Sequence, residues 1–183
     1  MALDKDPESA RPWIEVAKST HPSLIDTRFL LSDLYNMVNV PTILWIDEQG
    51  RVVRPNDVAF GNNKFQEVTG IDADVHKAAL RAWVKGEKSA FPEDKARSMQ
   101  SLPTAEHEEA RAEFALGRWL AAEGQLDAAE PHFVRAGELA PEDFNIRRGS
   151  MPMRNKDPMG PDFFKMAGDW AAAGNKYYLP LPE

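Results

Sequence analysis

Val40-Pro41-Thr42-Ile43-Leu44-Trp45-Ile46-Asp47-Glu48-Gln49-Gly50-Arg51-Val52-Val53 is the stretch whose reading decides the fold. Pro41 to Ile46 is apolar, β-branched and aromatic, and too short for a helix, so it reads as a buried strand. Asp47-Glu48-Gln49-Gly50 supplies hairpin-turn chemistry, with Gly50 suited to a positive-φ position. Arg51 to Arg54 returns as a second strand, which Pro55 is expected to stop because it has no N–H for the ladder. Asp47 and Glu48 are paired carboxylates, but at a hairpin tip their expected work is turn geometry and solubility rather than proton transfer.

Upstream, Met1 to Asp4 reads as a strand end or loose terminus, and Asp6-Pro7 as a turn. A helix capped at Ser9 follows, with Ala10, Trp13, Ile14 and Ala17 on one face and Pro12 in its first turn. His21-Pro22 ends it; residues 23–26 read as a short strand and Phe29 to Met37 as a short helix. Downstream, 56–71 is a polar loop. A helix from Ala73 to Lys85 then has Asp72 as N-cap, Gly86 just past its end, and an inward stripe of Val75, Ala78, Ala79 and Ala82. Residues 87–103 are charged and Pro-bounded, a linker. Thr104 caps a long helix from Ala105 to Glu123 that Gly124 ends, and a second helix runs from Asp127 to Leu139, with Pro141 beyond it. Asn145 to Pro161 is rich in Met, Pro and Gly and has no period. A last helix spans Phe163 to Ala173, and Tyr177 to Pro180 is an extended tail.

The chain has 183 residues, enough for one medium domain or two small ones. Its formal charge is −7, and no basic stripe interleaves with aromatics, so neither nucleic acid nor an anionic membrane surface is an expected partner. No apolar run approaches the roughly 18 residues that span a bilayer. The first twenty residues carry Asp4, Asp6, Glu8 and Glu15 and no apolar block, so cytoplasmic placement is expected. The cysteine count is zero, which excludes disulfides, thiolate metal sites and cysteine nucleophiles within these residues.

Other chemistry finds little footing. His21, His76, His107 and His132 share no ligand spacing and read as surface or half-buried side chains. Met151, Met153 and Met159 offer soft sulfur for Cu(I), but Pro152, Pro158, Gly160 and Pro161 among them favour a packed loop. There is no Gly-rich phosphate loop and no G-x-S-x-G nucleophile turn. No catalytic residue, metal or cofactor is expected, and a metal-dependent enzyme is the least favoured reading.

Two stretches resemble known families. Leu34-Tyr35 through Val40-Pro41-Thr42, followed by Trp45-Ile46-Asp47-Glu48-Gln49-Gly50-Arg51-Val52-Val53, resembles the second half of a thioredoxin-like domain, in the branch of TlpA-type thiol–disulfide reductases and peroxiredoxin-like redoxins. The resemblance covers residues 1–86 and implies a cis Val40–Pro41 peptide, with Val40, Pro41 and Thr42 as a binding loop. The family's Cys-x-x-Cys half has no counterpart here, as if the chain began in mid-fold. Leu116, Gly117, Leu120, Ala129, Phe133, Ala136 and Pro141 fall at the offsets of a tetratricopeptide repeat. That resemblance implies that Gly117 and Ala129 let two helices approach while Leu120 and Phe133 fill between them.

The expected fold is therefore α/β and partly thioredoxin-like over 1–86, a linker over 87–103, and an all-α tetratricopeptide-like module over 104–183 with a capping helix. The expected function is a binding or scaffold module whose partner is another protein or a second copy of the chain. The alternative is a partial form of a thiol–disulfide oxidoreductase or peroxiredoxin-like protein whose active site lies upstream. The first strand's inner edge is expected to be covered by local rearrangement or by a second copy.

Overall fold

The structure is a computed structural model that describes residues 1–4, 6–57, 61–87, 91–100 and 102–175. The described chain is mostly helical, with a single two-stranded sheet. Its packing divides into two units, Met1–Met37 and Val38–Glu183. The tail read at Tyr177 to Pro180 lies outside the described residues.

In the first unit, α1 spans Pro7–Ala17 and is capped by Asp6, whose carboxylate accepts from the Ser9 amide at 2.8 Å. The cap is thus three residues earlier than expected, because Asp accepts as well as Ser and Pro7 suits the first helical position. Pro12 consequently lies in the helix body, where it cannot donate to the Glu8 carbonyl. Ala10 is buried, but Trp13 is 78% exposed, so the expected inward face is only partly buried. The expected strand over 23–26 is reduced to one parallel bridge, Ala2 to Ile25. The short helix α2 is Leu30–Leu34; the Asp26 carboxylate accepts the Leu30 and Leu31 amides at its start.

The second unit opens with β1, Ile43–Ile46, paired antiparallel to β2, Val52–Asp57. Asp47 organises the turn: its Oδ1 accepts from the Gln49 and Arg51 amides at 3.0 and 2.9 Å, and Gly50 takes φ 76°. Pro55 does not stop β2. Between the pairs Ile43–Asp57 and Trp45–Arg54, β1 advances two residues while β2 advances three, so Pro55 and Asn56 lie in a bulge. A bulge relaxes the ladder's demand for an N–H at that position.

Trp45 is the buried centre of the hairpin. A short helix α3, Gln66–Thr69, precedes α4, Ala73–Val84, and α4 covers Trp45 with Trp83, stacked at 5.0 Å, and His76, edge-on at 5.9 Å. On α4, Ala73 is buried and His76, Ala79, Ala82 and Trp83 are half-buried, whereas Ala78 of the expected stripe is exposed. Val75, expected inward, is exposed, because large aromatic surface gains more from burial than one valine does. Gly86 ends α4 at φ 71°, with the Glu87 amide donating to the Ala82 carbonyl. Within the expected linker, α5, Glu93–Ser98, packs on β2. The Arg54 guanidinium there lies over the rings of both Trp45 and Phe91, about 5 Å from each.

The helical part is a pair, α6 (Ala105–Ala122) and α7 (Leu126–Leu139), joined by a tight turn at Gly124. Thr104 caps α6 through the His107 amide. The stretch expected to be irregular contains α8, Phe144–Arg147, and a 3-10 helix, Met151–Arg154. Each is about one turn long, below what apolar periodicity can reveal. The last helix, α9, is Pro161–Ala172. Phe144, Met151 and Phe163 form a core, with Met166, Ala167 and Trp170 packed against it.

Candidate functional site

Small residues let α6 and α7 pack closely. Ala110, Ala129 and Ala136 are fully buried, and the Phe114 and Phe133 rings meet at 6.1 Å. A Cβ on Gly117 would lie 2.9 Å from two Phe133 ring atoms, so the space there is already occupied. Of the positions carrying the repeat resemblance, Gly117, Ala129, Phe133 and Ala136 are buried, Leu120 is half-buried, and Pro141 lies just past the Ala140 cap of α7. Leu116 lies elsewhere, 42% exposed on the outer face of α6 with Trp119 at 56%.

Polar ties complete the pair. His132 and Glu113 are 2.5 Å apart, and Arg135 reaches Glu109 at 3.0 Å. Arg154 grips Glu130 with two nitrogens, and that guanidinium holds the Glu130 carboxyl below the usual carboxylate range. Beside this pair, Leu126, Asp127, Phe133 and Met153 line a depression of about 180 Å³. That is smaller than the roughly 300–1,000 Å³ usual for small-molecule sites.

A buried node joins α6 to α8. His107, 4% exposed, meets Asp143, 2% exposed, through Nε2 and Oδ2 at 2.7 Å, while Asp143 Oδ1 accepts the Ile146 amide at 3.0 Å. His107 is therefore neither a surface nor a half-buried histidine, as the sequence reading expected. Its partner lies 36 residues away, a separation without local signal. Both groups are enclosed, so the pair acts as a strut and has no face for a substrate.

The Val40–Pro41–Thr42 loop is tied into the same node. The Val38 carbonyl accepts from the Phe144 and Asn145 amides at 2.8 and 3.3 Å. With the Asp143 cap, this satisfies the first three amides of α8, groups that a helix start otherwise leaves without partners. Within the loop, the Val40–Pro41 peptide is cis, and the Thr42 hydroxyl donates to the Asn39 carbonyl at 2.5 Å. The Thr42 hydroxyl is thus engaged inside the loop, and Val40 is its exposed apolar residue.

No group of three His, Asp or Glu side chains suited to a metal occurs among the described residues. Met151 belongs to the core, whereas the Met159 sulfur accepts from Arg148, which accounts for both thioethers as packing and hydrogen-bonding groups. No described helix is long and apolar enough to cross a membrane. Comparison of the chain with protein-family models, with curated proteins and with solved structures finds no match.

Proposed function

We propose that the chain is a protein-binding module, a thioredoxin-like segment over 1–86 joined to a tetratricopeptide-like helix pair over 104–183, whose partner supplies an amphipathic helix. The observation that carries this reading is the outer face of α6. Leu116 and Trp119 stand one turn apart, flanked by exposed Ala112, Ala115 and Ala122. Residues 112–122 extend for about 15 Å along the helix, with small side chains that admit close approach and two large ones that anchor. A lone helix pair of this kind cannot bury both of its faces. The residues following α7 fill one side; a partner helix fills the other. The chain holds no cysteine, so a redox reaction has no thiol here to run through.

The test places a photo-cross-linking benzoylphenylalanine at Ala115 of the full chain in native cells. A discrete adduct is expected, identified by mass spectrometry and lost in the Leu116→Glu, Trp119→Glu double variant, whose melting curve stays unchanged. No adduct above the non-irradiated control, or one indifferent to the double substitution, rejects the reading.

A further inference from the structure

The two edges of the sheet differ. β2 carries Arg54, Pro55 and a bulge, and α5 packs on it. These are devices by which proteins blunt an edge against other strands. β1 is short, at four residues, but Ile43, Leu44, Trp45 and Ile46 include no charge, proline or glycine, and among the described residues the strand pairs with β2 alone. Leu44 stands opposite the Pro55–Asn56 bulge. Ile46 is 44% exposed, while Trp45 on the opposite face is buried.

We infer that β1 is a self-association edge, at which a second copy of the chain pairs antiparallel about a two-fold axis to give a four-stranded sheet ordered β2-β1-β1-β2. An antiparallel strand edge is complementary to its own copy, since each free N–H meets a carbonyl. Directly opposed residues of such a pair share a face, so Leu44 and Ile46 of both copies cover one another. The nearest charge on the turn side, Asp47, is already neutralised by Arg51 at 2.8 Å, so the centre of the contact brings no like charges together. The net charge of −7 opposes association at longer range, a repulsion that salt screens over about 10 Å at 0.1 M. Dimerisation therefore strengthens as salt rises, whereas docking of a basic partner would weaken.

Sedimentation velocity of the full chain across a concentration series, at low and moderate salt, tests this together with hydrogen exchange over residues 42–47. The weight-average mass is expected to climb toward twice that of one chain, more steeply in salt, while amides 42–47 gain protection with concentration. Ile46→Lys should abolish both effects and leave the melting curve in place. Ile46→Thr, β-branched and neutral, should retain dimerisation within a few-fold. Leu116→Glu with Trp119→Glu should leave the dimer intact, which separates this edge from the α6 face. A single-chain mass throughout, or a dimer that survives Ile46→Lys without protection at 42–47, overturns the inference.

Discussion

Asp47 does the work of several residues. Its carboxylate holds two backbone amides of the turn and the Arg51 guanidinium, and these bonds, the Arg51 amide foremost, keep the carboxyl below its usual range. A carboxyl lowered by folding adds stability that is complete above its unfolded value of about 3.9 and fades as pH drops through the lower folded value. Asp47→Asn is therefore expected to unfold at lower urea than the parent at neutral pH, with the two curves converging as acid protonates the parent's carboxyl. Parallel urea midpoints for both proteins down to about pH 2 measure this; a gap that stays constant would place the effect in turn geometry instead. The residue type at positions 47 and 50 made this turn legible in advance. The cap of α1 was harder, because Asp6 and Ser9 are both good caps and only the path of the chain chooses between them.

Two kinds of element behave differently. The hairpin and the α6–α7 pair were readable because their signals are local: a β-branched run with turn residues, and small and aromatic residues at helical spacing. α8 and the 3-10 helix were not: each is about one turn long, α8 is tied to His107 and the Val38 carbonyl, and the 3-10 helix is tied to α7 through Arg154 and Glu130. The inward face of α4 is only half legible for a related reason: Ala79 and Ala82 of the regular small-residue stripe are partly buried, but Val75 and Ala78 are exposed, because Trp83 and His76 follow the position of Trp45. Gly117 shows how tight the helix pair is. Gly117→Ala gains up to about 1 kcal/mol of helix propensity. It also drives a methyl to 2.9 Å from the Phe133 ring, overpacking worth about 1–3 kcal/mol. A net loss is expected, read as a lower denaturation midpoint, and Phe133→Leu in the same chain should recover part of it. A higher midpoint for the single substitution would mean that the ring yields freely.

For the whole molecule, the contact of Val38 with α8 spans much of the chain, and no sequence pattern announces it. Composition and motifs place a boundary near residue 104, yet a main-chain carbonyl far upstream completes the start of α8. A fragment covering 38–183 is accordingly expected to melt at higher urea than one covering 104–183. The two lost bonds contribute about 0.5–1.5 kcal/mol each to the difference. Equal midpoints would make the contact energetically idle. The same bond has a meaning in time. Val38 and Phe144 are separated by 106 positions, and a ribosome adding about 5–20 residues per second needs roughly 5–20 s to pass from one to the other. During that interval water, rather than α8, donates to the Val38 carbonyl, so this tie can form only after both helices of the pair have been made.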